Sequence, residues 1–283
     1  MAGKLYLVPT PIGNLEDITY RAVRILNEVD IIAAEDTRHT GILLKQLDIQ
    51  TPMISYHEHN KEEKGAYLIH CLLEGKSIAQ VSDAGMPAIS DPGADLVKKA
   101  IAADIEIIPL PGPNAGLTAL IASGLDTVEF TFVGFLPKRS NHRKEELQRL
   151  KSYAGTLIFY EAPHRLKAVL PDMLAYLGNR PICIGRELTK KFETFTRLTL
   201  QELLDDLEQI TFKGEFVLLV GGVQTGSSMG EPMMANLVAE DPVALVNRLQ
   251  AEGAAKKEAI REVAKQFGMA RRDVYNLVEK NNL

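Results

Sequence analysis

Cysteine is scarce: only Cys71 and Cys183 occur, each inside an apolar run ("LIHCLL" and "PICIG"), and neither has a Cys or His neighbour at zinc spacing. That excludes a disulfide scaffold, and both thiols read as reduced core residues of a cytosolic protein. Long hydrophobic runs are missing too. Residues 5–8 are apolar but prolines follow at once, too little for a signal-peptide core, and no stretch reaches the roughly 20 apolar residues that a membrane-spanning helix needs. Positive charge is in deficit. With a formal net charge of −5 the molecule is not a nucleic-acid polycation, so an anionic partner requires a local basic patch. Common ligand signatures fail as well. No G-x-G-x-x-G follows the first apolar run, and "EGKS" (74–77) mimics a phosphate loop but has His70 where the upstream glycine belongs. No G-x-S-x-G nucleophile turn occurs. His57 and His59 in "YHEHN" have no ligand series around them, so no metal site is expected.

What is present is a chain of 283 residues, 46% hydrophobic, long enough for one large domain or two ordinary ones. Short apolar runs at 5–9, 30–35, 77–82, 105–110, 129–136, 156–162, 182–188 and 215–222 alternate with segments of helical periodicity such as "ITYRAVRILNEV" and "GADLVKKAIAAD". Near-continuous apolar runs suit strands covered on both faces, and the alternation predicts an α/β fold with crossover connections. The basic stretch "LPKRSNHRK" (136–144) ends the first series, which predicts two α/β lobes over 1–136 and 137–222. A Gly- and Ser-rich linker is expected over 223–240 and a helical domain over 241–283. In that tail two helices are predicted around a turn at 267–269. Ile260, Val263, Ala264 and Phe267 form one apolar face and Val274, Leu277 and Val278 the other, a helix-turn-helix-like pattern. The tail from Asp241 holds eight Lys and Arg against six Asp and Glu, while the remainder holds 24 against 31. That asymmetry points to nucleic-acid contact by the tail, with a plain helical docking module as the alternative.

Three strands run into unusual loops: "PTPIGNLED", "SDAGMPAISDPG" and "PLPGPNAG". In a parallel sheet such loops gather at the carboxyl ends of the strands, where ligands bind. Glycine allows close backbone approach and proline fixes loop shape, so together they predict a preformed slot for a flat polar ligand.

The blocks "LYLVPTPIGNLEDIT", "AAEDTRHTGILL", "SYHEHN", "VSDAGMPAISDPG", "PLPGPNA", "FVGFLP", "FYEAPHRL" and "RELTKKFE", in this order, resemble the bacterial ribosomal RNA small-subunit methyltransferase I family of the tetrapyrrole methylase superfamily. The resemblance covers residues 5–222, and the helical tail matches it as well. It implies two α/β lobes with S-adenosylmethionine in the cleft between them. It further implies 2′-O-methylation of a cytidine ribose in the decoding region of small-subunit ribosomal RNA, free or assembled, by a cytoplasmic homodimer. On the same ground Ser82, Asp83, Ala84, Gly85 and Met86 correspond to the cofactor loop. Pro9, Thr10, Pro11, Pro111 and Gly112 would close the slot, and Tyr160, Glu161 and Ala162 would enter from the second lobe. Asp91 and Gly93 read instead as an N-cap turn before a helix over 94–103.

Methyl transfer to a ribose hydroxyl is an in-line displacement, so alignment does much of the work and a nearby base or cation assists. The catalytic candidates are Glu161, at a strand end facing the cleft, Asp36, similarly placed after the second strand, His164, and Lys190. Lys190 could serve as a base only if desolvation lowers its pKa; otherwise it steadies an oxyanion or grips phosphate. A structural ion-pair role competes for each of them. RNA contact is expected from Lys138, Arg139 and Arg143 in the basic stretch, Arg38, His57, Arg165 and Lys191 in the family blocks, and Arg272 in the tail. Two rival readings are a carbon methylase of a tetrapyrrole, which would need neither basic blocks nor tail, and a ligand-sensing DNA-binding regulator.

Overall fold

The computed structural model describes residues 2–91, 93–207, 211–223, 242–251, 254–266 and 269–280. The chain divides into two compact units, Met1–Thr225 and Gly226–Leu283. Beyond Val223, the linker expected over 223–240 lies outside the described residues.

The first sheet is entirely parallel, in the order β3-β2-β4-β1-β5, with β1 Lys4–Leu7, β2 Ile31–Ala34, β3 Met53–Ser55, β4 Ile78–Val81 and β5 Glu106–Pro109. Every residue of β2 ("IIAA") and β4 ("IAQV") is buried, as strands covered on both faces require. The crossovers supply that cover: α1 Tyr20–Glu28, α2 Thr37–Gln46, α3 Lys61–Leu73 and α4 Gly93–Ala102. The Thr19 hydroxyl accepts the Ala22 N–H and starts α1, whose Ala22, Ile25 and Leu26 pack with Ile32, Ala34 and Ala79. On the opposite face Leu68, Cys71 and Leu96 pack with Leu5, Ala33 and Ile78. All five strands therefore release their loops at one edge.

The second sheet is mixed, in the order β6-β7-β10-β8-β9, with β6 Phe130–Phe135, β7 Thr156–Glu161, β8 Pro181–Arg186, β9 Thr194–Thr199 and β10 Phe216–Val220. Only β6 and β7 run parallel; the other three pairings are antiparallel, so crossovers are not general here. Between and beside these strands lie α5 Ala115–Ser123, α6 Ser140–Leu150, α7 Leu166–Leu177 and α8 Leu200–Asp205. Leu147, Val169, Met173 and Leu203 fill one face with Phe159 and Leu218; Ala119 and Leu120 of α5 cover the other with Cys183 and Leu219. The lobe boundary expected after residue 136 is corrected by this topology. The run at 129–136 hydrogen-bonds to β7, and α5 covers the second sheet, so the boundary falls in the 110–114 loop. A buried strand reads the same whichever sheet receives it, and the basic stretch is the loop after β6 together with the first turn of α6.

The second unit contains α9 Pro242–Ala251, α10 Lys256–Gln266 and α11 Arg271–Lys280, packed through Val246, Ile260, Val263, Ala264, Val274 and Val278. Leu277, expected on the inner face, is 38% exposed; Phe267 and Gly268 of the expected turn lie outside the described residues. Among the described residues no helix is long and apolar enough to cross a membrane.

Candidate active site

The loops after β1 and β4 are fastened to each other. Thr10 and Gly85 exchange backbone hydrogen bonds of 3.0 Å in both directions, and the Thr10 hydroxyl donates to the Ser82 carbonyl at 3.1 Å. Gly85 has φ +79°, a region costly for other residues, and the Ser82 hydroxyl donates to its carbonyl at 3.1 Å. Further along, Ala88 (φ +70°) and Ser90 (φ +63°) take the same left-handed region without being glycine. Asp91 holds that strained turn: Oδ1 accepts the Ala88 N–H at 2.7 Å and the Gly93 N–H at 2.8 Å. The Asp36 N–H donates to Asp83 Oδ1 at 3.0 Å, tying the end of β2 to the same loop.

Between the two sheets these loops enclose a cleft of about 380 Å³, within the range of small-molecule sites. From the first lobe, Ser82, Asp83, Ala84, Gly85 and Met86 line it, joined by Glu35 and Asp91. From the second lobe come Tyr160, Glu161 and Ala162, the loop residue Leu188, and Glu215 and Phe216 at the start of β10. The Tyr160 hydroxyl accepts the Gly116 N–H at 3.1 Å, while Phe132 and Phe135 stand edge-on to its ring at 5.0 and 5.8 Å. Burial raises the Tyr160 pKa against that hydrogen bond, so the phenol stays neutral.

The electrostatics of the cleft are one-sided. Glu35, Asp83, Asp91, Glu161 and Glu215 line it, whereas no Lys, Arg or His does among the described residues. Burial raises the Glu161 pKa, only partly opposed by the Ala162 N–H on Oε1 and by Arg165. Burial also raises Asp91, and raises Glu35 with help from Asp83, Asp91 and Asp36. Glu161 Oε2 and Asp91 Oδ2 are buried without a hydrogen-bond partner among the described residues. Unpaired buried carboxylate oxygens and a wall without basic groups repel a phosphate and suit a cationic ligand.

The remaining expected residues lie elsewhere. Pro9 is buried, and a Cβ on Gly112 would stand 2.6 Å from its Cβ; the two pack on each other and do not line the cleft. Pro111 is exposed outside it, and Thr10 and Pro11 line a second, adjoining hollow. Asp36 caps α2, with Oδ1 on the Arg38 N–H and Oδ2 2.7 Å from the Arg38 guanidinium. That pairing depresses its pKa strongly, which leaves a poor base. Lys190 fails the condition for a base: burial works to lower its pKa, but Glu215 at 2.8 Å and Glu187 at 3.1 Å outweigh it and raise the value.

Two expected RNA contacts are corrected. Arg143 is 7% exposed and ion-paired with Asp172 at 2.6 Å, joining α6 to α7. Arg165 is committed to Glu161 at 3.2 Å and to the Leu136 carbonyl at 2.7 Å. In both cases a basic sequence neighbourhood disguised an inward-pointing side chain. Arg38, Lys138, Arg139, Lys191 and Arg272 are exposed, and His57 is half-buried at the end of β3, its N–H bonded to Asn60. Glu35, Glu215 and Phe216 were missed. A carboxylate directly after a buried strand was the available signal for Glu35, whereas nothing in the sequence announces an antiparallel β10.

Two sheets converge on an acidic cleft that suits a cationic ligand, and the comparisons give the class as a methylase. The chain belongs to the tetrapyrrole (corrin/porphyrin) methylase family, whose model matches residues 4–204, and it is a methyltransferase. Within that family its relatives include the ribosomal RNA small subunit methyltransferase I of Halalkalibacterium halodurans, 54% identical over 97% of this chain and 94% of the relative. The protein of the same name in Bacillus subtilis is 48% identical over 97% of this chain and 93% of its own. The fold is shared with a solved cobalt precorrin-4 methyltransferase (TM-score 0.57, 18% identity, 77% of this chain and 94% of that one). It is also shared with uroporphyrin-III C-methyltransferase from Thermus thermophilus complexed with S-adenosyl homocysteine (TM-score 0.54, 19% identity, 77% and 97%).

Proposed function

We infer that the chain methylates the 2′-oxygen of a cytidine ribose in the decoding region of small-subunit ribosomal RNA, using S-adenosylmethionine. The observation that carries the donor assignment is the cleft with five carboxylates and, among the described residues, no basic side chain. S-adenosylmethionine bears a sulfonium and an ammonium, and Asp91 Oδ2 and Glu161 Oε2 offer unpaired oxygens to such charges. When bound it supplies an activated methyl group: an oxygen–carbon bond forms as the carbon–sulfur bond breaks, with the electron pair staying on sulfur. The loop at 82–86 holds its shape through the Thr10–Gly85 pair and presents backbone groups to the ligand. Tyr160, Phe135 and Leu188 supply apolar cover that excludes water. Asp83, anchored by the Asp36 N–H, is a carboxylate within the cleft that can orient the acceptor hydroxyl and receive its proton. Glu161, tied down by Arg165, acts on the donor side, and Lys190 serves as a fixed positive charge.

The exposed cations Lys138, Arg139 and Lys191, with Arg272 in the second unit, support RNA binding through phosphates. Ribosomal RNA as substrate implies action in the cytoplasm. A homodimer is supported by the bare apolar positions Ile121 (80% exposed) on α5 and Val128 (87%) and Phe130 (41%) at the start of the edge strand β6. Sedimentation tests it: wild type runs as a dimer and Ile121→Asp as a monomer, and a monomeric wild type would refute it. The functional test is transfer of labelled methyl to deproteinised small-subunit RNA and to small subunits, followed by alkaline hydrolysis. An alkali-resistant dinucleotide beginning with a methylated cytidine is expected. Transfer to a base carbon, or to a tetrapyrrole only, would overturn the assignment.

A further inference from the structure

A second hollow of about 330 Å³ adjoins the donor cleft, and Ser82 and Asp83 border both. Thr10, Thr40 and Ser82 form its buried floor, while His39 and Gln46 on α2 stand exposed at its rim. Thr40 is 2% exposed, yet its Oγ1 has no hydrogen-bond partner among the described residues. An unpaired buried hydroxyl is costly to a fold and gains most when a ligand satisfies it. It lies one helical turn beyond Asp36, whose own N–H fixes Asp83.

The wall chemistry narrows the occupant. Apart from His39, no side chain lining this hollow among the described residues can carry positive charge, so it is not built for a phosphate or a polycarboxylate macrocycle. Hydroxyls on the floor suit a sugar, and Gln46 presents both a donor and an acceptor, the pair that matches the amide-like edge of a pyrimidine. Ile42, 63% exposed, supplies an apolar surface beside Gln46 for the face of a base.

We propose that this hollow seats the acceptor nucleoside, with the ribose against Thr40 and Asp83 and the pyrimidine beside Gln46. The proposal rests on the methyl-donor reading of the neighbouring cleft. Thr40 is thereby a substrate-binding residue and Asp83 the side chain that borders donor and acceptor together.

The test uses the full chain with Thr40→Val, Thr40→Ser and Gln46→Ala. Donor affinity is read by calorimetry, transfer to small-subunit RNA by single turnover, and folding by thermal melting. Thr40→Val is expected to bind the donor like wild type, to melt no lower, and to transfer about tenfold more slowly. Thr40→Ser restores the rate, and Gln46→Ala raises the RNA concentration for half-maximal rate without changing donor affinity. Wild-type kinetics in both Thr40→Val and Gln46→Ala overturn this proposal alone. A folded wild-type chain that takes up no donor overturns the methyl-donor reading, and this proposal with it.

Discussion

Thr10 and Gly85 face each other across two reciprocal 3.0 Å backbone hydrogen bonds, which join the loops of the neighbouring strands β1 and β4 into one rigid wall. Gly85 lines the donor cleft and Thr10 the adjoining hollow, so the pair fixes the edge that the two spaces share. Its shape depends on a left-handed glycine. In Gly85→Ala the backbone at φ +79° is strained and the new Cβ stands 3.3 Å from Ile12 Cγ2. A stability loss of about 1–2 kcal/mol by denaturant titration is expected, with donor affinity falling more steeply than stability. Unchanged donor affinity would show that the loop does not meet the ligand.

The basic stretch after β6 separates into two kinds of arginine and lysine. Removing Arg143 strands Asp172 in a largely buried position, so Arg143→Ala is expected to cost about 3–5 kcal/mol in urea unfolding. Lys138→Ala and Arg139→Ala remove exposed charges and are expected to leave stability within about 0.5 kcal/mol. Each should instead lower the salt slope of RNA binding by about 0.7. Binding measured at several salt concentrations checks both halves; an undiminished slope would remove these side chains from the RNA surface.

Much of the wall was legible because it is written in local chemistry. The glycine and the aspartates of "SDAGMPAISDPG" announce a shaped loop, and "FYEA" announces a strand ending on a carboxylate. Asp91 was readable only by half: the expected cap is there on Oδ1, but the residue also lines the cleft and its second oxygen is buried with no hydrogen-bond partner among the described residues. What periodicity does not encode is pairing. The apolar run of β10 gives no hint that it runs antiparallel to β7, and that direction alone brings Phe216 opposite Glu161 and carries Glu215 into the site. The same blindness assigned β6 to the wrong sheet and left the inward turn of Arg143 and Arg165 invisible.

The raised carboxyls make donor binding proton-linked. Glu35, Asp91 and Glu161 keep protons in the folded state at pH values where the unfolded chain, with ordinary values of 3.8 for Asp and 4.5 for Glu, has lost them. Their contribution to stability therefore declines as pH rises through that window. A cationic ligand favours the ionised forms, so binding in mildly acidic buffer should release protons and tighten as pH rises. Calorimetry in buffers of different ionisation enthalpy measures the release, which Glu161→Gln should diminish. Heats independent of buffer would contradict the arrangement.

The most direct test of the central claim is calorimetric titration of S-adenosylmethionine into the wild-type chain and into Ala162→Trp, whose indole would fill the cleft between Glu161 and Pro163. The account predicts saturable one-site binding to wild type and its loss in the variant, with an unaltered melting transition. Absence of binding to folded wild-type protein, or equal binding to both, would contradict it.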